Sequence, residues 1–270
     1  MKLSESRLAI AAILLPVLYL LIVFLPSIFF FLFVSVVILT AQYEFYRFYF
    51  QQNRSVIFLG LILGFFLLSW FYFRPSLPFE MMTSLLLITI LIFQLFFFRQ
   101  IQQALLDSAV LLMGVFYLSG FLGHLILIRM GVEGSGFILF LLFVVWGGDA
   151  GAYYVGRAIG GKKLYPAVSP NKTVSGALGG ILASWVGGTV SRIFFIADDF
   201  PLGWGETLIL SGLLGGIGQL VDLVESLLKR SAGVKDSGGA MMAHGGIFDK
   251  LDGVAFAAPV LYYYLFFFKG

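Results

Sequence analysis

The chain has 270 residues, of which 60% are hydrophobic and 17% aromatic, and only 31 are charged (17 basic and 14 acidic). Soluble domains carry about 25% charge, so 11% cannot cover a water-facing exterior. A soluble enzyme is excluded on that ground, and a disordered chain is excluded by the hydrophobicity itself. The 31 Phe and a mean hydropathy of +1.00 point to an all-α, polytopic bundle of membrane helices. A transmembrane β-barrel would alternate apolar and polar residues in short segments. Cysteine is absent, which removes disulfides, thiolate metal sites and a cysteine nucleophile.

About nine transmembrane helices are expected in chain order, near 8–25, 28–46, 55–73, 81–98, 104–128, 135–158, 174–196, 204–227 and 252–268. Each is long enough, or nearly so, to cross about 30 Å of hydrocarbon. The first follows Lys2 and Arg7 like a signal peptide, but its apolar run is too long and no small-residue cleavage site follows. Pro26-Ser27 turns it into the second, and the pair could instead form a hairpin that crosses incompletely. Basic residues set the orientation. The N-terminus and alternate loops carry 13 of them: Lys2, Arg7, Arg47, Arg54, Arg99, Arg157, Lys162, Lys163, Lys172, Lys229, Arg230, Lys235 and Lys250. The other side carries 4: Arg74, Arg129, Arg192 and Lys269. The expected topology places the N-terminus in the cytoplasm and the C-terminus outside.

Glycine divides the chain. Seven of the 32 Gly fall in residues 1–135 and the other 25 in 136–270. Residues 1–130 read as lipid-facing scaffold helices. Residues 131–270 read as a catalytic part with cytoplasmic loops at 157–173 and 229–250. Gly176-x-x-x-Gly180 and Gly212-x-x-x-Gly216 are small-residue motifs that let helix backbones approach.

Five acids sit in or beside the late spans: Asp149, Asp222, Glu225, Asp249 and Asp252. A carboxylate at mid-membrane costs at least about 2.5–3.5 kcal/mol and normally faces a polar cavity. Asp222, Glu225, Ser226 and Lys229 share one helix face by spacing, and Asp249 and Asp252 are three apart. Asp222, Asp249 and Asp252 could converge on one divalent cation or two, and all-oxygen donors favour Mg²⁺. Alternatively, Glu225 pairs with Lys229 as a helix salt bridge and the other acids are surface charges.

Two loops suit phosphates. One runs from Lys229 and Arg230 through Lys235 and Asp236 to His244, Gly245 and Gly246, joining cationic side chains to turns whose N–H groups can surround an anion. The other carries Lys162, Lys163, Ser169, Lys172 and Thr173 before a helix N-terminus; it could equally be a basic loop obeying topology. Asp149 and Tyr153 lie one turn apart in the helix before it, where Gly147, Gly148 and Gly151 leave room for a ligand or another helix. A carboxylate metal site, phosphate-suited loops and a bilayer together suggest phosphoryl or nucleotidyl transfer to a lipid.

The run from Ser226 through Lys229-Arg230, Lys235-Asp236-Ser-Gly-Gly, His244-Gly245-Gly246 and Asp249-Lys250-Leu-Asp252 resembles the signature of the phosphatidate cytidylyltransferases, the CDP-diacylglycerol synthases. Trp146-Gly-Gly-Asp149-Ala-Gly-Ala-Tyr153 and Ser169-Pro170-Asn171-Lys172-Thr173 are similar to that family too. The motifs cover roughly residues 146–253. Ser175, Ala243 and Lys250 depart from the family's usual residues, and Lys250 in place of Arg loses a bidentate fork. The resemblance implies that CTP and phosphatidic acid give CDP-diacylglycerol and pyrophosphate with Mg²⁺, in a homodimeric, multi-pass enzyme of the bacterial inner membrane. Catalytic roles then fall to Asp222, Asp249, Lys229 and Asp252. Substrate contacts fall to Asp149, Tyr153, Ser169, Lys172, Thr173, Arg230, Lys235, Asp236, His244, Gly245 and Gly246. No nucleic-acid partner is expected. A CDP-alcohol phosphotransferase would need a different spaced-acid motif, and a cation or phosphate transporter would use the same acids to line a pathway.

Overall fold

The computed structural model describes residues 16–51, 53–195, 202–234 and 246–269. Long apolar stretches without internal polar partners satisfy their backbone only as helices, and helices dominate. They are α1 (16–24), α2 (Ser27–Phe50), α3 (Arg54–Phe73), α4 (Phe79–Phe97), α5 (Ala104–Met113), α6 (His124–Met130), α7 (Gly134–Ile159), α8 (Val174–Phe195), α9 (Trp204–Ser231) and α10 (Phe248–Phe268). Among the described residues, eight helical segments are long and apolar enough to cross a membrane; one of them, Ile101–Met130, joins α5 to α6 through a π-helical stretch at Gly114–Gly120. The first expected span is described only from residue 16.

Alternation of the spans sorts the contacts to two ends. At one end Arg99 donates to the Phe50 carbonyl at 2.8 Å and the Tyr49 hydroxyl to the Leu228 carbonyl at 3.0 Å. At the other, Arg129 donates to the Ile22 and Leu25 carbonyls, Arg74 to the Tyr262 hydroxyl at 3.1 Å, and Lys269 pairs with Glu206 at 2.7 Å. Arg99 thus lies at one end, and Arg74, Arg129 and Lys269 at the other.

The N-terminal helices are fastened by a buried polar network. Gln42 donates to the Tyr46 hydroxyl (3.0 Å) and to the Gly60 carbonyl (2.8 Å). Tyr46 donates to the Leu111 carbonyl at 2.8 Å, beside the π-helical stretch, and Ser119 donates to Gln42 at 2.7 Å. Each of these polar atoms would be costly in an apolar interior without its partner.

In the C-terminal half, α7 and α8 make the most extensive helix pair. Glycine makes their approach possible. A Cβ on Gly151 would stand 2.2 Å from Ala183 Cβ, and one on Gly176 2.8 Å from the Ala152 carbonyl oxygen. The room left by Gly147, Gly148 and Gly151 is therefore taken by a helix. Gly176 and Gly180 both serve close packing as expected, but Gly216 does not: a Cβ there meets nothing within 4 Å, although Gly212 abuts Trp185. Gly151→Val should force α7 from α8 and lower the unfolding midpoint in detergent sharply. Gly216→Ala should be neutral or stabilise by up to about 1 kcal/mol through helix propensity.

The segment read as a loop at 157–173 is more ordered than that. Helix α7 runs to Ile159, and Gly160 and Gly161 break it with φ of +64° and +97°, backbone that glycine adopts without steric cost. An antiparallel hairpin follows, β1 (Lys163–Tyr165) and β2 (Ser169–Thr173), with Lys163 opposite Thr173 and Tyr165 opposite Ser169. The Val174 amide donates to the Lys162 carbonyl at 2.9 Å, so β2 leads straight into α8.

Candidate functional site

Three helices and the hairpin bring charge together at the end of the bundle that contains Phe50 and Leu228. Helix α9 is long enough to carry Asp222, Glu225 and Lys229 along successive turns. Asp222 forms an ion pair with Lys172, delivered by β2. Lys229 spans two carboxylates, Glu225 one turn earlier at 2.9 Å and Asp249 of α10 at 3.2 Å. The expected helix salt bridge is thus present, and it is shared with the next helix. Asp252, one turn into α10, is only 3% exposed. It lies in electrostatic range of Glu225, Asp222 and Asp149, and Asp149 of α7 in range of Asp222, Lys172 and Lys250.

The five acids singled out in the sequence therefore form one electrostatic cluster. Among the described residues, the ammonium groups of Lys172, Lys229 and Lys250 stand against them. Desolvated carboxylates in such excess are expensive unless paired or joined by a cation. Among the described residues, Asp149 Oδ1 is buried with no hydrogen-bond partner, and so is the Tyr117 hydroxyl, which is in electrostatic range of Asp252, Glu225 and Asp222. Among the described residues, no three carboxylate or imidazole side chains already converge as a ligand set for one ion.

The remaining sequence candidates divide. Thr173 is buried, and its hydroxyl accepts from the Gly176 amide at 3.1 Å, which makes it the cap of α8. Ser169 is half-buried in β2. Tyr153 is 59% exposed and accepts from Arg157 at 3.2 Å. Arg230 is exposed near the end of α9, and Gly246 is buried just before α10. Lys235, Asp236, His244 and Gly245 lie outside the described residues.

Two residues of the N-terminal half reach this cluster and were not among the sequence candidates. Tyr117 comes from the π-helical stretch. Glu44 of α2 is 6% exposed and accepts from the Phe248 amide at 2.9 Å. A carboxylate within an otherwise apolar span was the available signal for Glu44; nothing distinguished Tyr117 from eleven other tyrosines, since the chain has 12.

These features define a polytopic helical membrane protein that gathers carboxylates and lysines at one end of its C-terminal helices. The chain matches the cytidylyltransferase family over residues 5–268, and it belongs to that family. It is 43% identical over 156 residues to the phosphatidate cytidylyltransferase of Staphylococcus saprophyticus, covering 58% of each chain. Against the phosphatidate cytidylyltransferase of Brucella suis it is 46% identical over 151 residues, 55% of this chain and 54% of that one. With that of Bacillus subtilis the identity is 43% over 132 residues, 49% and 48% of the two. The matched segment spans about half the length of these curated relatives.

Proposed function

We propose that this chain transfers a cytidylyl group from CTP to phosphatidic acid, forming CDP-diacylglycerol and releasing pyrophosphate at the cytoplasmic face of the inner membrane. The observation that carries the reading is the clustering of Lys172 and Lys229 with five carboxylates at one end of the α7–α10 bundle, in a member of the cytidylyltransferase family. The excess of basic residues in the loops at that end supports a cytoplasmic placement. A homodimer in the bilayer completes the proposal.

A phosphatidate phosphate oxygen forms a bond to the α-phosphorus of CTP while the bond from that phosphorus to the bridging oxygen breaks. Pyrophosphate leaves with that electron pair. Phosphatidate is nucleophilic at neutral pH, so no residue need act as a strong base. The donor set fits a hard divalent cation such as Mg²⁺, one ion or two: all candidate ligands are carboxylates, and among the described residues they outnumber the lysines of the cluster and Asp149 Oδ1 is buried with no hydrogen-bond partner. Asp222, Asp249 and Asp252 would hold it, and it would neutralise phosphate charge when bound. Lys172 and Lys229, which pair with Asp222 and Asp249, would offer their ammonium groups to the triphosphate and the lipid headgroup. Arg230, Lys235, His244 and the glycines beside it steady the same phosphates, and Ser169 and Tyr153 border their approach.

Purified protein in phosphatidate-containing vesicles should release pyrophosphate from CTP in the presence of Mg²⁺. Release should vanish when phosphatidate is replaced by phosphatidylcholine or CTP by ATP. Phosphatidate-independent ion flux with no pyrophosphate release would instead establish a transporter.

A further inference from the structure

The proposed site belongs to the C-terminal half by sequence, yet α2 touches it on both sides of the 235–245 segment. Before that segment, the Tyr49 hydroxyl donates to the Leu228 carbonyl at 3.0 Å and lies 2.8 Å from the Ser231 hydroxyl. Those contacts flank Lys229. After it, Glu44 accepts from the Phe248 amide at 2.9 Å. Phe248 is the first residue of α10 and is fully buried. Its ring packs on Phe45 and Phe48 of α2, both with centroids 5.7 Å away, and near Tyr117.

The first four amides of any helix lack partners within the helix. In α10 no side chain of its own capping residue, Ile247, supplies one. A carboxylate from a helix about 200 positions earlier does so. Carboxylate near a helix start also complements the positive end of the helix dipole. One residue after this amide comes Asp249, the partner of Lys229, and Asp252 follows one turn later. Contacts with α2 therefore help to set the depth and rotation of α10 at its start, where Asp249 meets Lys229. Glu44 is also electrostatically close to Asp249, and among the described residues its other carboxylate oxygen is buried with no hydrogen-bonding side chain or backbone group assigned to it. So negative charge is brought near a like charge to secure the backbone at the start of α10, a cost that geometry at this point must repay.

We propose that Glu44 is a positioning residue for the nucleotidyl-transfer site: it acts as the N-terminal cap of α10 and, with Tyr49, holds Asp249 and Lys229 in register across the two ends of the 235–245 segment. This inference rests on the reaction proposed above. Its essential feature is the acceptor oxygen at 2.9 Å, which Gln retains and Ala removes.

The test uses the full-length protein in lipid nanodiscs, first confirming that the unsubstituted chain makes CDP-diacylglycerol; failure there overturns the reaction and not the capping contact. Glu44→Ala should lower kcat by about 10–100-fold, the range typical of residues that orient others in a site, with the KM for CTP changed less than about threefold. Glu44→Gln should restore most of kcat. Independently of activity, deuterium exchange at the first amides of α10 should accelerate in Glu44→Ala and stay near the unsubstituted rate in Glu44→Gln. Gln94→Ala, at another buried polar side chain, should leave both readouts unchanged, separating positioning from loss of general stability. Three outcomes overturn the proposal: Glu44→Ala with more than half of kcat, Glu44→Gln as damaged as Glu44→Ala, or unchanged exchange at α10 in Glu44→Ala.

Discussion

Replacing Asp222 or Asp249 by Asn should lower the proposed phosphatidate-dependent pyrophosphate release by on the order of 10³-fold or more, while the protein should still accumulate in the membrane at near-normal levels. The magnitude follows from what such groups do in phosphoryl and nucleotidyl transfer, where positioning and charge neutralisation supply almost all of the catalysis and one charged group is worth about 10³–10⁵. Accumulation should be spared because each carboxylate is only partly buried; Asp222 gives up its ion pair with Lys172, and Asp249 its ion pair with Lys229. Asn keeps the size and one acceptor oxygen, so packing survives and charge alone is removed. Release of labelled pyrophosphate is compared with the amount of folded protein measured by size-exclusion chromatography in detergent. Near-normal turnover in either variant would remove that carboxylate from the chemistry. Asp252→Asn tests a different burden, since Asp252 is almost wholly buried. A large activity loss there with an unchanged unfolding midpoint would place it with the other two.

Much of this arrangement is legible from charge in the wrong solvent. Asp149, Asp222, Glu225, Asp249 and Asp252 stood out because a membrane span has no use for a lone carboxylate, and all five meet in one electrostatic cluster. Helix spacing also told which side chains of α9 share a face, and the Glu225–Lys229 pair is its direct consequence. Local spacing could not show that Lys229 also reaches Asp249, because that contact depends on how α10 packs against α9. Nor could it show the pairing of Lys172 with Asp222, which needs the hairpin. The hairpin itself was hidden because its strands are three and five residues long. They carry no alternating pattern, and Gly-Gly, Pro and Lys in that stretch read as loop. Thr173 illustrates a second limit. A hydroxyl before a glycine-rich helix looks the same in sequence whether or not it caps that helix, and this one does, accepting from the Gly176 amide. Glu44 and Tyr117 were overlooked for a third reason: their roles come from contacts with residues of the distant C-terminal half.

Substituting Lys229 by Met is expected to do what neither carboxylate change does, abolishing turnover and also destabilising the fold. Lys229 is the shared cation of Glu225 and Asp249, at 2.9 and 3.2 Å, and Glu225 is 7% exposed. Removing it takes the shared cation away from two carboxylates on facing helices, one of them almost wholly buried. Breaking a buried pair from one side costs about 3–5 kcal/mol, mostly through the charge left behind. If that charge is the cause, a compensating change must relieve it. Glu225→Gln added to Lys229→Met should recover a large part of the lost unfolding free energy, measured by reversible denaturation in mixed micelles, because the amide carries no charge to strand. Turnover should not recover, since the ammonium group proposed to face the phosphates is still missing. A double variant as unstable as Lys229→Met would mean that the side chain matters for packing along α9 and not as a countercharge. Recovery of turnover together with stability would show that Lys229 only balances Glu225 and Asp249. The two measurements thus separate the lysine's structural charge from its proposed chemistry, which coincide in every single substitution at this position.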